Sequence, residues 1–74
     1  MKSNHTAKYK NLLTKLINAR KAAGFTQSDL SKMLKRPQSF VSKIEIGERR
    51  LDVIEFLEIT QFLGVDACEI IKNI

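Results

Sequence analysis

Gly24, Pro37, Gly47 and Gly64 divide this chain, and their spacing confines every segment between them to a few helical turns. Glycine suits the left-handed position just past a helix end. Proline ends a helix or occupies its cap or first turn. Between these points apolar residues recur at helical spacing, and no stretch carries the alternation of a strand. There is no internal repeat, linker or low-complexity segment. The chain therefore reads as all-α, built from five short helices.

Capping residues mark where the helices start. Residues 1–5 read as a frayed basic arm, and Thr6 can cap a first helix that runs to about Ala23. Leu12, Leu13, Leu16, Ile17 and Ala23 form its apolar stripe. Thr26 caps the second helix, with Asp29 as an imperfect capping box and Phe25 with Leu30 as a hydrophobic staple. Its apolar positions are Leu30, Met33 and Leu34. Lys35 and Arg36 make a turn, and the third helix is expected over residues 38–46. Asp52 with Glu55 is a full capping box for a fourth helix, and Asp66 with Glu69 repeats the pattern for a fifth. We expect a flexible basic arm over residues 1–7 and a single domain over residues 8–74. A chain of 74 residues fits one domain.

The third helix is two-faced. At about 100° per residue, Gln38, Ser39, Ser42 and Lys43 share one arc, while Phe40, Val41 and Ile44 fall opposite. The polar arc includes the helix N-terminus, whose free amides favour anions. Glutamine can pair with adenine, lysine can reach guanine or phosphate, and serine can bond either. A solvated helix face has the same pattern, so periodicity alone does not decide. The net charge of +5 favours an anionic partner, nucleic acid or a membrane surface. The charge is uneven: after Arg50 come Asp52, Glu55, Glu58, Asp66 and Glu69 against Lys72 alone.

The stretch TQSDLSKMLKRPQSFVSKIEIG closely resembles the helix-turn-helix of the lambda-repressor and Cro-like (XRE-type) regulators of bacteria and phages. The upstream R-x-x-x-G-F-T-Q (Arg20 to Gln27) and the downstream GERRLDVIEFLEITQFLGVD match as well. The likeness runs from about residue 12 to residue 71, with the motif itself at about 27–46. It implies a five-helix lambda-repressor-like domain that binds double-stranded DNA. By that resemblance Gln38, Ser39 and Lys43 read base edges in the major groove. Gln27, Ser42, Arg49 and Arg50 meet the DNA backbone, and Lys35 and Arg36 add backbone contacts. Arg20 and Glu45 correspond to a structural salt bridge between helices. Three positions depart from the pattern. Lys35 stands where Gly is frequent, and a left-handed Lys costs about 1 kcal/mol, so a differently shaped turn is expected. Pro37 stands where a capping hydroxyl is common. Leu51 replaces a frequent Pro.

Other chemistries find little support. His5 is the only histidine and Cys68 the only cysteine, so neither a zinc site nor an intrachain disulfide is expected. The serines lack a base to activate them. No enzyme activity, metal, cofactor or small-molecule ligand is expected. Cys68 reads as a small apolar filler. No apolar run reaches the roughly 20 residues needed to span a bilayer. MKSNHTAKYKN lacks the apolar core of a signal peptide, and a cytoplasmic location is expected.

The apolar residues late in the chain exceed what one core can hold. Val53, Phe56, Ile59 and Leu63 suffice for an inward stripe on the fourth helix. Ile54, Phe62, Val65, Ile71 and Ile74 are then left for a dimer interface. The resulting expectation is a homodimeric transcriptional regulator, a repressor, on a near-palindromic operator. The alternative is an antitoxin or protein-interaction module that neutralises a toxin and represses its own operon.

Overall fold

The computed structural model describes residues 6–74. Residues 1–5 of the arm expected over residues 1–7 lie outside the described residues, while Thr6 and Ala7 are the cap and the first residue of the first helix. Five helices follow in order: α1 Ala7–Ala22, α2 Gln27–Met33, α3 Phe40–Glu45, α4 Val53–Leu63 and α5 Ala67–Ile71. Among the described residues there is no strand, so the architecture is all-α.

Side chains close the starts of four helices. The Thr6 hydroxyl accepts from the Tyr9 amide at 3.1 Å. Thr26 with Asp29 forms a complete, reciprocal capping box, tighter than the imperfect one expected. Asp52 with Glu55 forms a second. Asp66 accepts from the Cys68 amide at 2.9 Å, but Glu69 does not return the bond and pairs with Lys72 instead. Each such cap satisfies amides that the helix leaves unpaired.

Helices α1 to α4 end alike. A residue of positive φ follows each: Gly24, Lys35, Gly47 and Gly64. The next amide then reaches back across the last turn. Phe25 donates to Arg20 O at 3.2 Å, Arg36 to Ser31 O at 3.0 Å, Glu48 to Lys43 O at 2.9 Å and Val65 to Thr60 O at 3.1 Å. This is the Schellman arrangement, and it turns the chain sharply four times. Lys35 is the one non-glycine among them, at φ 58°. The turn before α3 thus keeps the left-handed shape that Gly would give, rather than the different shape expected. Lysine is accommodated because the two backward bonds around it hold the conformation.

The third helix starts two residues later than expected. The Phe40 amide donates to Pro37 O at 2.9 Å, so residues 37–39 form a tight turn and Gln38 and Ser39 lie within it. Pro37, with its fixed φ, opens this turn, and helical geometry begins only beyond it. Ser39 occupies the N-cap position without a capping bond from its side chain.

The core gathers Leu13 and Leu16 from α1, Leu30 from α2, Phe40, Val41 and Ile44 from α3, and Phe56, Ile59 and Leu63 from α4. Each buried side chain of this size contributes about 1.5–3 kcal/mol. All three apolar residues of α3's inner face are in it, so α3 is clamped along its whole length. Val53 is not: it is 69% exposed, contrary to the expected stripe. At about 100° per residue the buried arc of α4 runs from Glu55 through Ile59, Leu63 and Phe56 to Thr60, and Val53 falls outside it. Cys68 is also exposed rather than a core filler. Val65 packs against the core, as a residue in its Schellman position does, and Ile74 is half-buried near Tyr9, Leu12 and Leu51. These two fit the expected dimer face less well than Ile54, Phe62 and Ile71, which are exposed. The Tyr9 hydroxyl accepts from the Leu51 amide at 3.0 Å and ties the loop before α4 to α1.

Candidate nucleic-acid interface

Two backbones must be held in register before any side chain can be aimed outward. Ser31 of α2, with no exposed surface, supplies the link. Its hydroxyl donates to Gln27 O at 2.9 Å and accepts from the Val41 amide at 3.0 Å. The amide it satisfies is one that α3 leaves free at its start.

A second link runs through charge. Arg20 of α1 donates Nε to Glu45 Oε2 at 2.7 Å and a terminal nitrogen to Glu45 Oε1 at 3.1 Å. Its other terminal nitrogen donates to Phe25 O at 2.8 Å. Both ends of the pair are largely shielded from water. Glu45 Oε1 also accepts from Gln27 Nε2 at 2.7 Å. One chain of bonds therefore joins α1, α3 and the first residue of α2. It fixes which way the Gln27 amide faces.

Outward from this frame lies a shallow cleft of about 430 Å³, lined by Gln27, Ser28, Gln38, Ser39 and Ser42. Its walls are amide and hydroxyl groups. Gln38 and Ser39 are exposed, and neither side chain has a hydrogen-bond partner among the described residues. Ser42 donates its hydroxyl to Ser39 O at 3.0 Å. Ser28 was missed in the sequence. Its signal was available, since it follows Gln27 in the first turn of α2, where free amides cluster.

Around the start of α3 a second cleft, about 240 Å³, is lined by Arg36, Pro37, Ser39, Phe40, Lys43 and Arg49. Ser39 borders both clefts, so Gln38 and Lys43 flank it on the two sides. Lys43 is exposed and without a side-chain partner among the described residues. The Arg36 and Arg49 guanidiniums lie 4.8 and 4.7 Å from the centre of the Phe40 ring. Arginine over an aromatic face is held by the ring's quadrupole. This role for Phe40 was not expected from sequence, although Arg36 and Phe40 stand four residues apart.

Arg49 is not a free cation. It grips the Glu55 carboxylate with both terminal nitrogens, at 2.9 and 2.8 Å, and donates to Arg50 O at 2.8 Å. Arg36 stands 3.7 Å from the same carboxylate. Glu55 belongs to α4 and its side chain is nearly buried. The hydrogen bonds from Arg49 hold the Glu55 carboxyl below the ordinary glutamate range, against the opposing effect of burial, with the Asp52 amide helping. The same bond raises the Arg49 guanidinium. Sequence assigned Glu55 only to a cap.

The structure thus gathers Gln27, Gln38, Ser39, Ser42, Lys43, Arg36 and Arg49 around one end of α3. Two of the expected backbone contacts stand apart. Arg50 lines a different cleft with Thr6, Lys8, Tyr9 and Ile74. Lys35 lines neither cleft at α3. No cluster of acidic, His or Cys side chains that could hold a metal occurs among the described residues. No helix there is long and apolar enough to cross a membrane.

A family model described as Helix-turn-helix matches residues 16–70. Among solved structures, an XRE-family like protein from Pseudomonas syringae pv. tomato str. DC3000 superposes with a TM-score of 0.84 at 51% sequence identity. That match covers 92% of this chain and 83% of the other. No curated protein matches at a significant level.

Proposed function

The chain belongs to the helix-turn-helix family of XRE type, a family of DNA-binding regulators rather than enzymes, and we propose that it is a sequence-specific transcriptional repressor acting as a homodimer. In this reading two copies of α3 enter successive major grooves about 34 Å apart on a near-palindromic operator. Gln38, Ser39 and Lys43 read bases. Ser42, Gln27, Arg36 and Arg49 meet phosphates, with Arg50 and Lys35 at the periphery.

The observation that carries the reading is the exposed trio Gln38, Ser39 and Lys43, without side-chain partners among the described residues, before and along a helix whose opposite face is wholly buried. Donors and acceptors mounted on a fixed backbone suit base edges better than those on a mobile element do. Support for the homodimer comes from Ile54, Phe62 and Ile71, which are 63%, 46% and 47% exposed. Val53 and Leu57 of α4 are exposed as well. Asp52, Glu58, Asp66 and Glu69 belong to the same part of the chain and repel phosphate, so a second copy is the occupant that fits it.

Selection of binding duplexes from a random-sequence pool tests the reading. The expected product is a two-fold symmetric consensus with half-sites one helical turn apart. If each subunit neutralises about 3–4 phosphates, log affinity falls with log salt at a slope near −6. A pool that shows no enrichment would overturn sequence specificity, and an asymmetric single half-site would overturn the dimer.

A further inference from the structure

Glu55 is out of place by composition. It is a nearly buried carboxylate in the midst of the cations expected to face DNA, yet it sits on α4, outside the helix-turn-helix. One Arg20–Glu45 pair already fastens α1 to α3. A second charged pair is not needed for that purpose.

We propose that Glu55 is a positioning residue for DNA binding: it restrains Arg49, and beside it Arg36, so that their charge serves phosphate only in the registered complex. The proposal rests on the reading of the site given above. Three observations carry it. The Arg49 guanidinium is gripped at both ends by one carboxylate, which fixes its plane as well as its position. Arg36 shares that carboxylate at 3.7 Å. Both guanidiniums also lie against the Phe40 ring, the first residue of α3. The two cations are thereby indexed to the reading helix itself. Arg49 keeps Nε–H and one terminal hydrogen without a partner among the described residues. A phosphate arriving in the correct place can be bonded without breaking the grip. One arriving elsewhere meets a guanidinium already neutralised by Glu55.

A residue that only fastened the loop to α4 would alter stability and nothing else. The proposal instead requires a change in how binding depends on salt and sequence. The test compares wild type, Glu55→Gln and Glu58→Gln on two duplexes, one of mixed sequence and one taken from the random-pool selection. Glu58 is exposed on the same helix, has no ion-pair partner among the described residues and undergoes the same charge change, so it controls for net charge. Because it stands between Ile54 and Phe62, sedimentation first establishes that both variants assemble as wild type does. Fluorescence anisotropy is followed across a salt series, at a temperature where circular dichroism shows every variant folded. For Glu55→Gln the slope of log affinity against log salt steepens by about 1–2, since each freed cation adds about 0.9. Affinity for the mixed duplex rises several-fold, and the selected-to-mixed ratio falls. Glu55→Asp, which keeps the charge but shortens its reach, shifts both readouts the same way by less and serves if the amide variant does not fold. A slope and ratio for Glu55→Gln matching those of Glu58→Gln overturn the proposal, and so does a shallower slope. If wild type shows no salt-dependent binding to either duplex, the reading of the site itself has failed, which is seen before any variant is compared.

Discussion

Ser31 has no surface open to solvent, and its hydroxyl bridges two helices whose backbones approach closely. Ser31→Ala strips the Val41 amide of its acceptor in a place water does not reach. An unpaired buried donor costs about 1–3 kcal/mol, and in a domain of this size each kcal/mol lowers Tm by about 4–8 °C. A thermal melt of Ser31→Ala that superposes on wild type would refute this assignment. Lys35 offers the opposite case. Its left-handed backbone costs about 1 kcal/mol relative to Gly, partly offset by the greater freedom glycine has when unfolded. Lys35→Gly is therefore expected to stabilise by under about 1 kcal/mol, measured as a small rise in the denaturant midpoint. A fall would mean that the lysine side chain makes a contribution the geometry does not reveal.

Helix boundaries were mostly legible because caps and left-handed stops are signals carried by one or two residues. Thr26, Asp52, Gly24, Gly47 and Gly64 each declare themselves locally, and the helix ends they mark fall within a residue of where the pattern placed them. Orientation was harder. Glu55 turns inward because Arg49, six residues earlier in a loop, meets it there, and no period in α4 encodes that partner. Val53 is turned outward as the arc shifts to take Glu55 in. The delayed start of α3 reflects the backbone limits around Pro37, which apolar spacing does not register. The capping boxes also predict an acid response. Asp29 and Glu55 are both held below their ordinary values by their capping bonds and, at Glu55, first of all by Arg49. A carboxyl whose folded value is depressed stabilises the fold above its unfolded value and loses that contribution as pH falls through the folded one. Stability should thus hold near neutrality and decline below about pH 4.3, the ordinary glutamate value. Part of that decline should be absent in Glu55→Gln, as urea midpoints across an acid pH series would register. An unchanged acid profile in the variant would remove Glu55 from the account.

At the scale of the molecule, the expected partition of surfaces concerns assembly. Basic and amide groups gather around α3, while α4 and α5 expose Ile54, Leu57, Phe62 and Ile71. Placing a charge in the middle of an apolar contact is strongly unfavourable when that contact closes. Phe62→Glu should give a folded monomer by sedimentation, with weakened binding to a two-half-site duplex and unaltered binding to a single half-site. A dimer that survives the substitution would move the interface elsewhere. The resemblance in the sequence anticipated the fold and the Arg20–Glu45 bridge. It did not supply the engagement of Gln27 with Glu45 or of Arg49 with Glu55, because side-chain partners depend on packing between segments far apart in the chain.

Gln38, Ser39 and Lys43 are exposed, and their side chains bond to nothing among the described residues. Substitutions at such positions usually alter stability by less than about 0.5 kcal/mol. The scaffold beneath them, from Ser31 to the Arg20–Glu45–Gln27 chain, does not depend on which side chains they carry. Those three positions behave as an interchangeable head on a fixed handle. On the proposed reading, a lineage or an engineer can rewrite the preferred operator there one residue at a time, without first finding compensating changes in the core.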